Sequence, residues 1–182
     1  MLIHDWTAQP HITRGRPVLS AAEAIGLLPG PGHLFLGSGA AAPYALLQAL
    51  CDQCDRLGGS TLHHIILLAD PAFGDPRFTA AFRHQSYFLG IRERPLVEAG
   101  DADAVPIFFH ELGRAFRTQV IPLDGALVQV SPPDAHGRFS YGTAVDFVKP
   151  AVESARMVIA EVNPQQPYVH GNASLTAEQV TA

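Results

Sequence analysis

Lysine is almost missing from this chain: Lys149 is the single one among 182 residues. A Gly-Lys-Ser/Thr phosphate loop is therefore excluded. Basic residues number 12 against 17 acidic ones, for a net charge of -5, so no overall positive field exists to hold nucleic acid or an anionic membrane surface. Cysteine is scarce too, with Cys51 and Cys54 alone. No second pair completes a zinc site, and their spacing in a helix-like run brings both to the core face, so packing rather than redox chemistry is expected. No apolar run approaches the roughly 20 residues that span a bilayer. The opening "MLIHDWTAQPHITRGRP" lacks the apolar middle of a signal peptide, and the expectation is a cytoplasmic protein. Nine histidines are scattered, and only His63 and His64 adjoin. On a strand those two point to opposite faces, and no metal is expected.

What is present reads as one domain with alternating elements; 47% of residues are hydrophobic, enough for one sizeable core. Ser20-Ala21-Ala22-Glu23 is a capping box that starts a short helix. "HLFLGS" (33–38) reads as a buried strand, followed by a helix from about Ala41 with Pro43 in its first turn. Further strands are expected at "LHHIILLAD" (62–70), "QSYFLG" (85–90), "VPIFFHE" (105–111), "ALVQVS" (126–131) and "RMVIAEVN" (156–163). Apolar strands alternating with helices predict an α/β fold: an open, mostly parallel sheet flanked by helices. Ligands of such sheets bind beyond the carboxyl ends of the strands. Gly37–Gly39, Asp70 and Ser131-Pro132-Pro133 all fall there. From Gln165 the sequence turns polar and loses periodicity, so the domain is expected over 1–164 and a tail or crossover segment over 165–182.

The strand-to-helix junction "GSGAAAP" holds the main candidates: Gly37, Ser38, Gly39, Ala40, Ala41, Ala42 and Pro43. Bare amides and a helix start suit a carboxylate, a thioester oxygen or a phosphate. A plain turn with Ser38 as helix cap fits the same residues. A dinucleotide fingerprint does not, since Ala42 stands where the third glycine belongs. Pro132, Asp134, His136 and Gly137, in "SPPDAHGRFSYG" (131–142), form a secondary candidate loop. Arg83, Arg92 and Arg94 could meet a phosphate or simply lie in solvent. Glu98, Glu111, Glu153 and Glu161 have no context that marks a nucleophile.

Taken in order, "SAAEAIGLLPGPGHLFLGSGAAAP" (20–43), "FLGIRERPLVEAGDADAVPIFFHEL" (88–112), "ALVQVSPPDAHGRFSYGTAVDFVKPAVESARMVIAEVNPQQP" (126–167) and "HGNAS" (170–174) resemble the amino-terminal domain of the acetyl-CoA hydrolase/transferase family. That family includes 4-hydroxybutyrate, butyrate and succinate:acetate CoA-transferases. The resemblance implies the CoA-transferase (NagB/RpiA-like) fold, with an active site in a cleft between two related halves. It implies acyl-CoA and a carboxylate as substrates, coenzyme A chemistry without a metal, and a glutamate that forms an anhydride and then a glutamyl-CoA thioester. Gly37 to Pro43 match the family's amino-terminal glycine motif, which helps seat the acyl or carboxylate group.

One departure outweighs the matches. In the family the nucleophilic glutamate and a glycine-rich CoA segment belong to the carboxy-terminal half, so no catalytic residue is assigned in this chain. The expectation is a half or subunit of a CoA-transferase or acyl-CoA hydrolase. It would be completed by a glutamate-bearing partner half in a homo- or hetero-oligomer, whether the chain is a natural subunit, a processed fragment or a stand-alone relative. The alternative is a non-catalytic acyl- or CoA-binding scaffold. Pro150 also departs, standing where relatives usually run helical alanines.

Overall fold

Ser20 accepts from the Glu23 amide at 3.3 Å, while a Glu23 carboxylate oxygen receives the Ser20 amide at 2.9 Å, so the expected capping box starts helix α1 (Ala21–Gly26). Such a cap is worth about 1 kcal/mol. It belongs to a computed structural model that describes residues 15–67 and 75–182. Strand β1 (His33–Leu36) follows, then a single 3-10 turn (Gly39–Ala41) and helices α2 (Tyr44–Asp52) and α3 (Cys54–Leu57). Next come β2 (Thr61–His64), α4 (Pro76–Ala81), β3 (Arg83–Ser86), α5 (Glu93–Ala99), β4 (Ala102–Ala104) and α6 (Phe109–Arg117). The chain continues through β5 (Gly125–Val130), β6 (Arg138–Ser140), α7 (Val148–Ser154), β7 (Met157–Val162), β8 (Ser174–Thr176) and a 3-10 turn (Ala177–Gln179).

Six strands form one sheet in the order β4-β3-β2-β1-β5-β7, every neighbouring pair parallel. Side chains alternate across it. Leu34 and Leu36 join Ile25, Leu47, Leu50 and Phe78 in a core under α1 to α4, whereas Phe35 packs on the other face with Leu112, Phe116, Val128 and Ala151 under α6 and α7. Each fully buried Leu or Phe contributes about 1.5–3 kcal/mol. The open, parallel α/β sheet flanked by helices is thus as expected.

Three strands depart from their expected bounds by more than two residues. The third strand ends at Ser86 rather than running over 85–90, and the fourth is Ala102–Ala104, ahead of the expected 105–111. "FFHE" instead starts α6, because Leu112 and Phe116 recur four apart and bury one helical face, and Pro106 before them cannot donate to a strand ladder. A short apolar run reads as strand or helix with equal ease. Within 62–70 the strand is only Thr61–His64, and Asp70 lies outside the described residues.

The stretch 165–182, expected as a polar tail beyond the domain, packs into it. Strand β8 pairs antiparallel with β6, Leu175, Ala177 and Val180 are buried in the second core, and the Thr181 amide donates to Val158 O at 2.7 Å. Four buried apolar residues, Ala173, Leu175, Ala177 and Val180, carry that burial in a largely polar stretch of 18, too short a run to mark a strand by itself. Pro150 sits third in α7, inside the first turn, where a missing amide removes no intrahelical bond.

The adjacent histidines do part to opposite faces. His63 Nε2 lies 2.9 Å from His33 Nδ1, and its Nδ1 lies 2.6 Å from the Tyr87 hydroxyl; His64 Nε2 meets His84 Nδ1 at 3.2 Å. Burial depresses all three buried rings, His63 and His84 to about 3 and His64 to about 4, so they are neutral at pH 7. Cys51 and Cys54 are buried free thiols; burial, with Asp75 next to it, pushes Cys51 up to about 11. Among the described residues no group of three or more His, Cys, Asp or Glu is placed for a metal, and no helix is long and apolar enough to cross a membrane.

Candidate functional site

The site builds up from the end of β1. Being parallel, β1 and β5 deliver their following loops, 37–43 and 131–137, to the same carboxyl end of the sheet. Gln129 ties these strands' ends together: its Nε2 donates to Ala42 O at 3.1 Å and to Glu161 Oε1 at 3.0 Å. Glu161 Oε2 in turn accepts the Ala45 and Leu46 amides at 2.8 and 3.1 Å, which engages this carboxylate in holding the start of α2.

Within the glycine loop, Gly37 donates to Leu127 O at 2.8 Å, and Gly39 donates to Ile66 O at 2.7 Å. Those two amides are engaged inside the protein and are not free for a ligand. A Cβ on Gly37 would meet Ala41 O at 3.2 Å. Gly39 is required for another reason: its φ is +61°, while the space beyond its Cα is open. Ala40 is exposed; Ala41, Ala42 and Pro43 are buried.

Ser38 does not cap the turn. Its side chain, 3% exposed, makes no capping bond and instead approaches Asp146 Oδ2 at 3.5 Å. Asp146 was not singled out by the sequence. Its position just ahead of α7, where Oδ1 accepts the Phe147 and Val148 amides at 2.6 and 3.2 Å, was the available signal. Crowding by surrounding atoms raises its pKa, against the opposing pull of those amides and Ser38, although the residue itself opens to solvent. A carboxyl whose pKa is raised by burial thus stands beside the loop hydroxyl and accepts from it. It also lines a shallow groove with His110, Lys149 and Asn172.

The secondary loop is organised around Asp134. Oδ1 accepts the His136 and Arg138 amides at 2.8 and 2.9 Å; Oδ2 accepts Arg138 Nε at 3.1 Å and the Tyr168 hydroxyl at 2.8 Å. Burial works against its charge, but these bonds prevail and hold the carboxyl at about 2. Asp134 is therefore a turn organiser whose oxygens are engaged. Gly137 supplies the positive φ of that turn, +73°; His136 is exposed and Pro132 half-buried.

A shelf of exposed apolar side chains lies toward the same end of the sheet. It comprises Phe88 after β3, Ile91, and Phe108 and Phe109 at the start of α6, with Ile91 88% and Phe108 71% exposed. Phe88 and Phe109 meet edge to face, 6.4 Å between centroids. Between shelf and glycine loop runs the segment 65–67. Its Leu67 amide donates to Glu93 Oε1 at 3.1 Å, and Glu93 is only 1% exposed. Nothing in the sequence singles out Glu93, which stands between Arg92 and Arg94.

A doubly covered parallel sheet with a glycine loop at its carboxyl end defines an open α/β domain, a class whose ligands bind at that end. The chain belongs to the acetyl-CoA hydrolase/transferase N-terminal domain family, whose description its residues 13–180 match. It is 31% identical over 163 residues to the 4-hydroxybutyrate coenzyme A transferase of Clostridium kluyveri, covering 90% of this chain and 38% of that one. Among solved structures, the 4-hydroxybutyrate CoA-transferase of Porphyromonas gingivalis is 30% identical with a TM-score of 0.75, covering 97% of this chain and 40% of that one. RipA from Yersinia pestis is 29% identical with a TM-score of 0.82, covering 98% and 43%. The chain thus spans about two fifths of the length of these relatives.

Proposed function

We propose that this domain is the amino-terminal half of a CoA-transferase or acyl-CoA hydrolase acting on short acyl-CoA thioesters, and that it forms the carboxylate side of a cleft closed by a second half. The observation that carries this is the loop Gly37–Pro43: a glycine turn with a positive φ and open space at Gly39, at the carboxyl end of the sheet in a chain whose relatives are CoA-transferases. In this reading Gly39, Ala40 and Ser38 meet the acyl or carboxylate group. Ala41 and Pro43 fix the turn, and Gly37 anchors it to β5. The second half brings the glutamate that attacks the thioester carbonyl, which expels CoA thiolate and leaves an acyl-glutamyl anhydride; the thiolate then attacks the glutamyl carbonyl, which forms glutamyl-CoA and releases the acyl group as its carboxylate. An incoming carboxylate then reverses those steps. The Asp146 carboxyl accepts from the Ser38 hydroxyl and holds it at the cleft wall. The exposed apolar side chains Phe88, Ile91, Phe108 and Phe109, the first and last of them in contact, support a covering partner, since exposed apolar patches mark association sites. Pro132 and His136 are left at the rim. A cytoplasmic setting accords with two buried free thiols.

The test is complementation. The 182-residue chain alone should transfer no CoA from acetyl-CoA or butyryl-CoA to acetate, and addition of a carboxy-terminal half from a relative should restore transfer. Turnover by the chain alone that disappears on replacing one of its own glutamates would overturn the assignment of the nucleophile. Tight CoA binding without any partner, and no transfer after complementation, would favour a non-catalytic acyl- or CoA-binding scaffold.

A further inference from the structure

We propose that Glu93 is a positioning residue that sets the glycine loop through a single peptide group. The peptide joining Ile66 to Leu67 is held at both ends. Its carbonyl accepts the Gly39 amide at 2.7 Å, and its N–H donates to Glu93 Oε1 at 3.1 Å. A peptide unit is rigid and planar, so whatever fixes its N–H also fixes the direction of its carbonyl. Glu93 therefore governs the orientation of the bond that tethers the Gly39 amide.

Three observations mark this carboxylate as more than filler. It is 1% exposed, yet Oε2 has no hydrogen-bond partner among the described residues. Buried polar atoms are otherwise nearly always paired, so an unpaired carboxylate oxygen is a cost that packing alone would remove by using an apolar side chain. Room is made for it as well: a Cβ on Gly90 would stand 2.5 Å from Oε2. A carboxylate is finally a stronger acceptor than a neutral amide or carbonyl. Its bond to the Leu67 N–H polarises that peptide and strengthens the Ile66 carbonyl as acceptor for Gly39. Gly39, at φ +61° with open space beyond its Cα, takes its direction from that bond.

The proposal rests on the reading that this loop faces substrate, and the experiment separates the two. Amide exchange is followed by NMR on the full 182-residue chain for wild type, Glu93→Met and Glu93→Gln. Met keeps the volume without an acceptor; Gln keeps the acceptor oxygen. In Glu93→Met the Leu67 and Gly39 amides should exchange about tenfold faster or more, while Gly37, bonded to Leu127, is unchanged; Glu93→Gln should restore most of the protection. Equal protection of Gly39 in wild type and Met variant, or a Gln variant no better than Met, overturns the tether. If Glu93→Met does not fold, the wild type decides: a scalar coupling across the hydrogen bond between Gly39 nitrogen and Ile66 carbonyl carbon is expected, and its loss in Glu93→Gln overturns the proposal. In the complemented enzyme the Met variant should lower kcat with little change in the KM for acyl-CoA. Unchanged kinetics beside faster Gly39 exchange would leave the tether standing and refute the substrate-facing loop.

Discussion

Acidification should unfold this domain through three imidazoles. His63, His64 and His84 are buried and neutral, with folded pKa values of about 3, 4 and 3 against 6.5 for an unperturbed ring. A depressed folded pKa means that the unfolded chain binds the proton first. Stability is therefore full above about pH 6.5 and falls as the pH drops below it. At pH 5 an unfolded histidine is almost wholly protonated and each folded one almost wholly neutral, a difference of about 2 kcal/mol per ring. Three rings make about 6 kcal/mol, comparable with the roughly 5–15 kcal/mol that holds a domain folded. His64 and His84 share a hydrogen bond and titrate as a pair, which redistributes their protons without changing the sign. The carboxylates held low, such as Asp134 at about 2, titrate below this window. Urea unfolding at a series of pH values from 7.5 to 5 measures the loss, and the steepest part should approach about 4 kcal/mol per pH unit, or three protons taken up on unfolding. His64→Gln should remove about a third of it. A stability that changes by less than about 1 kcal/mol over the same range would refute the picture of neutral, solvent-excluded rings.

Gly39→Val should cost about 1–3 kcal/mol from the positive φ and abolish transfer in the complemented enzyme, with folding checked by circular dichroism; a full rate would reduce the loop to a turn. Ser38→Ala should be nearly neutral for stability, because its hydroxyl caps nothing; a loss above about 1 kcal/mol in urea would show otherwise. Asp134→Ala should loosen the 131–138 turn and release Tyr168, seen as a downward shift of the tyrosine titration, since the aspartate is among the causes that hold that phenol up. Cys51 should resist thiol reagents in the native state near pH 8 and react at once in urea, because burial raises its pKa to about 11.

The parallel sheet was legible because its central strands are short, apolar on both faces and bounded by glycine, proline or capping residues. "HLFL" and "ALVQV" could hardly be anything else, and Ser20 with Glu23 specified α1 by local bonding alone. The family, too, lay in the order of the segments. What failed was the edge. Strand β4 holds three residues, one of them apolar and buried, and its placement follows from pairing with β3 rather than from any pattern of its own. Strands β6 and β8 exist only because they meet each other, 34 or more residues apart in sequence.

The site divides along the same line. Gly37, Ser38 and Gly39 announce a loop by composition, because few residues other than glycine accept a positive φ or a close backbone approach. What each atom does there was settled by residues distant in the chain. Asp146, 108 positions from Ser38, takes its hydroxyl away from a helix cap. Leu127 and Ile66 engage the amides of Gly37 and Gly39. Tyr168 and Arg138 turn Asp134 from a candidate ligand group into the pin of its own turn. Local propensity acts over a few residues and can be read along the chain. Hydrogen-bond partners and burial depend on which strands lie side by side, and only the folded sheet brings those together.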